Sequence, residues 1–296
     1  MKHHLRPLGI FVLLGFSSLC IADSVDFVNA LGIPPTGSGL TPYFFNSSSV
    51  SVGGVSVTAW SFTNGWQKSE LTGRNDIGAG VSLQDHGLGV CTARFGTACG
   101  QPGNGDPGLP DYLGELDNLR NYELLQISMT DGSKGNWKGI DLSSLDQNGL
   151  SGQQIPPDSY SWGQVFYSDN GLTAGVTDLP TAFATLLCNF SYDTTKPFPT
   201  LPYGCAQHPT PDPSGKYDAT VLFMNGTTLG AVNSKYLYIM AKNVDQGDPP
   251  FSGPPYNDFL LRGVVFDETV PEPGSLLLLA SGLGALSAAV KRKLCD

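Results

Sequence analysis

Histidine, basic residues and helical periodicity are what this sequence has least of, and each shortage removes a class of function. Only four histidines occur, two of them (His3 and His4) at the extreme N-terminus, so His86 and His208 are the imidazoles left for chemistry. Neither stands near a distinctive Ser or Cys motif, and G-x-S-x-G, H-E-x-x-H and the P-loop are all absent. Glutamates between the chain ends are few (Glu70, Glu115, Glu123 and Glu268), which leaves little for a paired-carboxylate glycosidase. We expect no catalytic residue and no enzyme activity; hydrolysis of glycosides is the remote alternative. No stretch repeats apolar residues at helical spacing over a convincing length, which argues against a helical bundle or an α/β fold. Bases number 16 against 26 acids. Nucleic acid is therefore excluded as a partner, because its phosphates would be repelled over the whole surface.

The two chain ends are the exceptions to this polar, turn-rich composition. Residues 1–22 read as a signal peptide, with Lys2 and Arg6 first, then the apolar stretch Leu8–Phe16, then small residues up to Ala22. Cys20 raises a lipoprotein alternative, but Leu19 precedes it where such signals want a small residue. At the other end Pro271, Glu272 and Pro273 are followed by sixteen uncharged residues, Ser275–Val290, and then by Lys291, Arg292 and Lys293. As a helix those sixteen residues span roughly 24 Å, a little short of a hydrocarbon core of about 30 Å. Thinning of the bilayer and snorkelling of the basic flank would cover the deficit. The basic cluster predicts stop-transfer on the cytoplasmic side. Without both ends the chain keeps 11 bases and 24 acids, net −13.

This tail of Pro-Glu-Pro motif, single transmembrane helix and basic cluster resembles the sorting signal of the PEP-CTERM family. The resemblance implies export from a Gram-negative bacterium and a membrane-anchored precursor. It also implies processing by an exosortase that reads Pro271, Glu272 and Pro273, and delivery to the cell surface or a biofilm matrix. Exosortase and the export machinery are the implied partners, with exopolysaccharide as a further one. A second resemblance lies in Gly87–Val90, Glu115–Asn118 and Glu123–Met129, a pattern similar to that of PEP-CTERM ectodomains. It supports a jelly-roll-like or related β-sandwich and names no activity.

Between the ends, residues 23–268 read as an all-β, β-sandwich ectodomain, and residues 269–296 as the sorting signal. Short runs rich in β-branched and aromatic residues alternate with Gly, Pro, Asn and Asp clusters. Strands are expected near Val25–Ala30, over Val50–Phe62 with a turn at Gly53-Gly54, and at Glu123–Met129, Trp137–Leu145 and Trp162–Tyr167. Three more are expected at Ala219–Met224, Tyr236–Ala241 and Phe259–Phe266. Residues Thr181–Tyr192 read as a short helix or a strand, and Thr194–Pro213, with six prolines, as an irregular surface loop.

Four cysteines, Cys91, Cys99, Cys188 and Cys205, remain in this body, an even number that suits disulfides in an exported chain. Local pairing, Cys91–Cys99 and Cys188–Cys205, is the expectation over a zinc site. No cofactor is required. Ca²⁺ is the one metal the spacing allows, through Glu115, Asp117 and Asn118, although the twelve-residue Ca²⁺ loop is missing. Two functional readings remain: a non-catalytic surface or matrix protein, with Trp60, Trp66, Tyr112, Trp137 and Trp162 in its core, or a carbohydrate-binding module displaying those rings on one face. The sequons at Asn46, Asn189 and Asn225 are read as chance.

Overall fold

The computed structural model describes residues 22–35, 43–62, 64–75, 86–91, 116–117, 122–145, 162–191, 205–211, 217–225, 228–241 and 258–267. The chain opens with β1 (Ala22–Asp26), α1 (Phe27–Leu31), β2 (Tyr43–Phe44), β3 (Ser49–Val52), β4 (Val55–Phe62), β5 (Trp66–Lys68), β6 (Glu70–Asn75) and β7 (His86–Cys91). It continues through β8 (Leu116–Asp117), β9 (Tyr122–Met129), β10 (Gly135–Leu145), β11 (Trp162–Ser168), α2 (Pro180–Phe183) and β12 (Thr185–Ser191). The last six strands are β13 (Cys205–Pro211), β14 (Tyr217–Asn225), β15 (Thr228–Leu229), β16 (Val232–Ser234), β17 (Tyr236–Ala241) and β18 (Asp258–Asp267).

These strands form two antiparallel sheets. The larger has the order β13-β14-β10-β18-β7-β6-β2, with β1 and β8 also on β18, β15 on β14 and β16 on β10. The smaller runs β12-β11-β17-β9-β4-β3, with β5 on β4. Alternation within each strand decides what goes where. Val55, Val57 and Ala59 of β4, Leu125 and Ile127 of β9, and Leu237, Ile239 and Ala241 of β17 enter one buried cluster. Facing residues of the large sheet, among them Ile140, Leu142, Val221, Phe259, Leu261 and Val264, complete that cluster. This is the sandwich core expected from the sequence.

The small sheet is covered on its other face as well. Trp60, Tyr122, Leu124, Phe166, Tyr238 and Met240 join Trp66 and Leu172 in a second cluster. Residues 169–184 cross this face and seal it. Trp66 holds them by three hydrogen bonds: its N–H donates to Val176 O (2.8 Å), its indole to Asp178 O (2.9 Å), and its carbonyl accepts from Gly175 (2.8 Å). β17 is thereby covered on both faces, with Leu237, Ile239 and Ala241 in the first cluster and Tyr238 and Met240 in the second.

Local chemistry corrects two sequence expectations. The stretch Val25–Ala30 does not continue as a strand. Asp26 accepts a hydrogen bond from the Asn29 amide (3.1 Å) as N-cap, and Gly32 takes the left-handed conformation after the last turn (φ 63°). Caps at both ends favour one helical turn over extension. The proline-rich stretch Thr194–Pro213 is not all irregular, because Cys205–Pro211 forms the edge strand β13. The region left open between helix and strand is both in turn: α2 spans Pro180–Phe183 and β12 follows from Thr185. Gly53 and Gly54 both adopt positive φ (56° and 76°), the conformation a two-residue hairpin turn demands.

The Cys188–Cys205 disulfide is formed, and it ties the edge of the small sheet to the edge of the large one. Cys91 is also disulfide-bonded, with its partner outside the described residues. Residue Cys99 lies outside them too, as do residues 1–21 of the expected signal peptide and residues 268–296, which hold the expected transmembrane helix. Among the described residues no helix is long and apolar enough to cross a membrane.

Candidate functional site

Charged residues on the large sheet come from strand positions that alternate with the core. Asp141 stands between Ile140 and Leu142, and Asp218 and Thr220 flank Ala219. Register places Asp141 beside both Thr220 and Gly263, and Gly263 beside Asp26. A cleft of about 290 Å³ results, lined by Ser24, Asp26, Asp141, Asp218, Thr220 and Arg262.

Every acid in this cleft already has a structural partner. Asp218 Oδ2 lies 3.0 Å from Arg262 Nη1 and 3.1 Å from His86 Nε2. Asp141 accepts from the Thr220 hydroxyl at 2.6 Å. Asp26 caps α1 and lies 3.8 Å from Arg262 Nε. The Thr220 hydroxyl is thus committed to Asp141, and the Ser143 hydroxyl accepts from the His86 backbone N–H at 3.3 Å. Among the described residues, no group of three or more His, Cys, Asp and Glu side chains is placed to hold a metal ion. The cleft is a polar seam that stitches β1, β7, β14 and β18 together. Sequence reading missed it. The available signal was a lone charge within an apolar strand, such as Arg262 inside Phe259–Phe266.

Sequence-predicted residues fall in several places. Trp60, Trp66 and Trp137 are buried, at 3%, 0% and 0% exposure, so these three rings offer no open stacking face. The Trp137 indole donates to Ser234 O at 2.9 Å. Tyr112 lies outside the described residues, as does the Trp162 side chain. Of the Ca²⁺ set, Asp117 contributes backbone to β8, while Glu115 and Asn118 lie outside the described residues. His208 pairs by register with Thr220.

Among the described residues, the titration shifts arise from structural contacts. Burial raises the Tyr238 phenol well above its ordinary range, with the neighbouring Tyr236 adding to the effect. The Asp169 carboxyl is lowered, first by its hydrogen bond from Lys134 and then by the Lys235 amide.

The arrangement defines a class: an all-β sandwich with a structurally satisfied polar seam, whose last described strand, β18, leads directly into the C-terminal segment. That segment carries the PEP-CTERM protein-sorting motif, matched over residues 269–293. The motif marks the chain for export and exosortase-dependent processing at a membrane-anchored C-terminal signal. No curated protein and no solved structure matches this chain.

Proposed function

We propose that this chain is a non-catalytic cell-surface or extracellular-matrix protein of a Gram-negative bacterium, with a jelly-roll-like body that associates with exopolysaccharide. The observation that carries the reading is the direct succession of a closed β-sandwich and a sorting motif. The motif begins at residue 269, two positions after the end of β18. Burial of Trp60, Trp66 and Trp137 supports a structural body over a sugar-stacking platform. The structural partners of Asp26, Asp141 and Asp218 speak against a catalytic pair of carboxylates.

In this reading Pro271, Glu272 and Pro273 are read by the exosortase, and Lys291, Arg292 and Lys293 stop transfer. Replacing Pro271-Glu272-Pro273 by alanine is expected to leave a folded body retained in the membrane fraction. Release of that variant at its normal size would sink the sorting role. Glycan-array binding by the released protein, with and without Ca²⁺, checks the rest. Binding of a defined neutral glycan would favour a carbohydrate-binding module instead.

A further inference from the structure

Lys138 has no partner of its own on β18. Register runs Asn136 opposite Asp267 and Trp137 opposite Phe266, then resumes with Gly139 opposite Val265, so Lys138 is the extra residue of a β-bulge in β10. A bulge re-aims the side chain it carries. Here it brings the lysine onto Asp267, the last residue of β18, with Nζ 2.6 Å from Oδ1. That is just below the usual range of about 2.7–2.9 Å for a charge-assisted contact. Yet Oδ1 accepts no hydrogen bond, because the contact is not aligned as one. Cγ is one C–O bond of about 1.2 Å from Oδ1, so Nζ lies at most about 3.8 Å from that carbon.

The surroundings hold the pair in place. Asn136 Nδ2 donates to Oδ2 at 3.1 Å, which keeps the carboxyl group from turning away. Oδ1 is screened from solvent, and the Asp267 side chain as a whole is 15% exposed. The Lys138 side chain is 32% exposed, which leaves a small molecule a route out. On the opposite face Trp137 packs edge-on against Phe266, with ring centroids 6.1 Å apart. A Cβ on Gly139 would meet Val221 O at 2.7 Å, so β14 closes tightly against the strand beside the bulge. A nitrogen and a carboxyl carbon fixed this closely on neighbouring strands react as one molecule, with effective molarities of about 10⁵–10⁸ M when aligned.

We propose that Lys138 and Asp267 are joined by an intramolecular amide bond between Nζ and Cγ. A proton of the ammonium passes to Oδ1 within the pair, giving a neutral amine and a carboxylic acid without an outside base. The amine lone pair then attacks Cγ. The C–N bond forms, the C–O bond to Oδ1 breaks, and Oδ1 leaves as water with one proton from the carboxylic acid and one from the attacking nitrogen. Oδ2, held by Asn136, stays as the amide oxygen. Nothing is oxidised or reduced, and no co-reactant is consumed. The cross-link ties β10 to the last described strand independently of the Cys188–Cys205 bridge, and a reducing agent does not open it. It is independent of the sorting reading above.

Peptide mapping tests the bond. Full-length protein from its producing cells is reduced, denatured and digested with trypsin, and the peptides are weighed. A free Lys138 releases the tryptic peptide Gly135–Lys138, since Lys134 precedes it. The amide blocks cleavage at Lys138 and yields a branched peptide whose arms begin at Gly135 and Gly263, lighter than its two arms together by one water. The parent is expected to give the branched peptide and to lose the Gly135–Lys138 peptide. Asp267→Ala should restore the short peptide. Lys138→Arg, which keeps the charge but cannot form this amide, should give no branched product. Equal yields of the short peptide from the parent and Asp267→Ala overturn the proposal, as does a branched product that persists in either variant. Digestion follows denaturation, so the readout holds whether or not a variant folds.

Discussion

Trp60 and Trp66 lie in the same buried cluster on the outer face of the small sheet, yet they are held differently. The Trp66 indole donates to Asp178 O, whereas the Trp60 indole N–H has no partner among the described residues. Removing a satisfied donor strands its acceptor, and removing an unsatisfied one relieves desolvation. Trp66→Phe is therefore expected to lose about 1–3 kcal/mol in chemical denaturation, with Trp60→Phe near neutral apart from volume. Equal losses would show that ring size, and not the tie to residues 169–184, sets stability here. Tyr238 offers a second residue-level check. Its folded-state value is raised, so its contribution to stability is whole below the ordinary tyrosine range, near pH 10, and is lost as pH rises beyond it. Unfolding midpoints of the parent should fall above that pH more steeply than those of Tyr238→Phe.

At the scale of single elements, β13 explains how a proline-rich segment becomes a strand. Pro209 and Pro211 pair with Ala219 and Tyr217 on β14, two residues apart on the edge of the large sheet. Proline has no N–H, so within a sheet it is confined to edge strands such as β13, where a missing donor can fall on the open side. An edge without donors is a poor template for another chain. Replacing both prolines by threonine should keep the fold and promote concentration-dependent association, measured by light scattering. Sequence reading took the prolines as evidence for a loop. They mark an edge, and only pairing with β14 separates the two meanings. Elsewhere alternation sufficed. The strands at 122–129, 162–168, 236–241 and 258–267 were legible because their apolar positions fill one or both faces. The short strands β5, β15 and β16 were not, since two or three residues carry no period.

For the whole molecule, the first and last described strands are neighbours. Ala22 opposite Asp267 and Asp26 opposite Gly263 bring the two ends of the body to one side of the sheet. Strand spacing there is about 4.8 Å. Joining residue 267 to residue 22 through a short turn, with new ends opened at the exposed Asp131–Gly132 turn, should give a protein that unfolds in one cooperative transition. A multistep or early melt on calorimetry would mean that β1 is a dispensable appendage and not part of the sheet. The Cys188–Cys205 bridge acts at this scale too, since it fastens the edge strand of one sheet to the edge strand of the other.

What the sequence settled by itself was local or linear: the sorting motif, whose meaning lies in consecutive residues, and the strand character of runs with period two. The all-β class followed from the same patterns; the local pairing of Cys188 with Cys205 was one of three connectivities open to the sequence, and the structure decided it. Long-range register lay beyond the sequence. Nothing in the primary order of Asp26, Asp141, Asp218 and Arg262 announces that they meet, because strand pairing brings together positions from tens to more than two hundred residues apart. The same holds for Asp267, Lys138 and Ala22. Whether a tryptophan is core or platform was likewise decided only when residues 169–184 folded across the small sheet, since burial belongs to the packed assembly of elements and not to the ring itself.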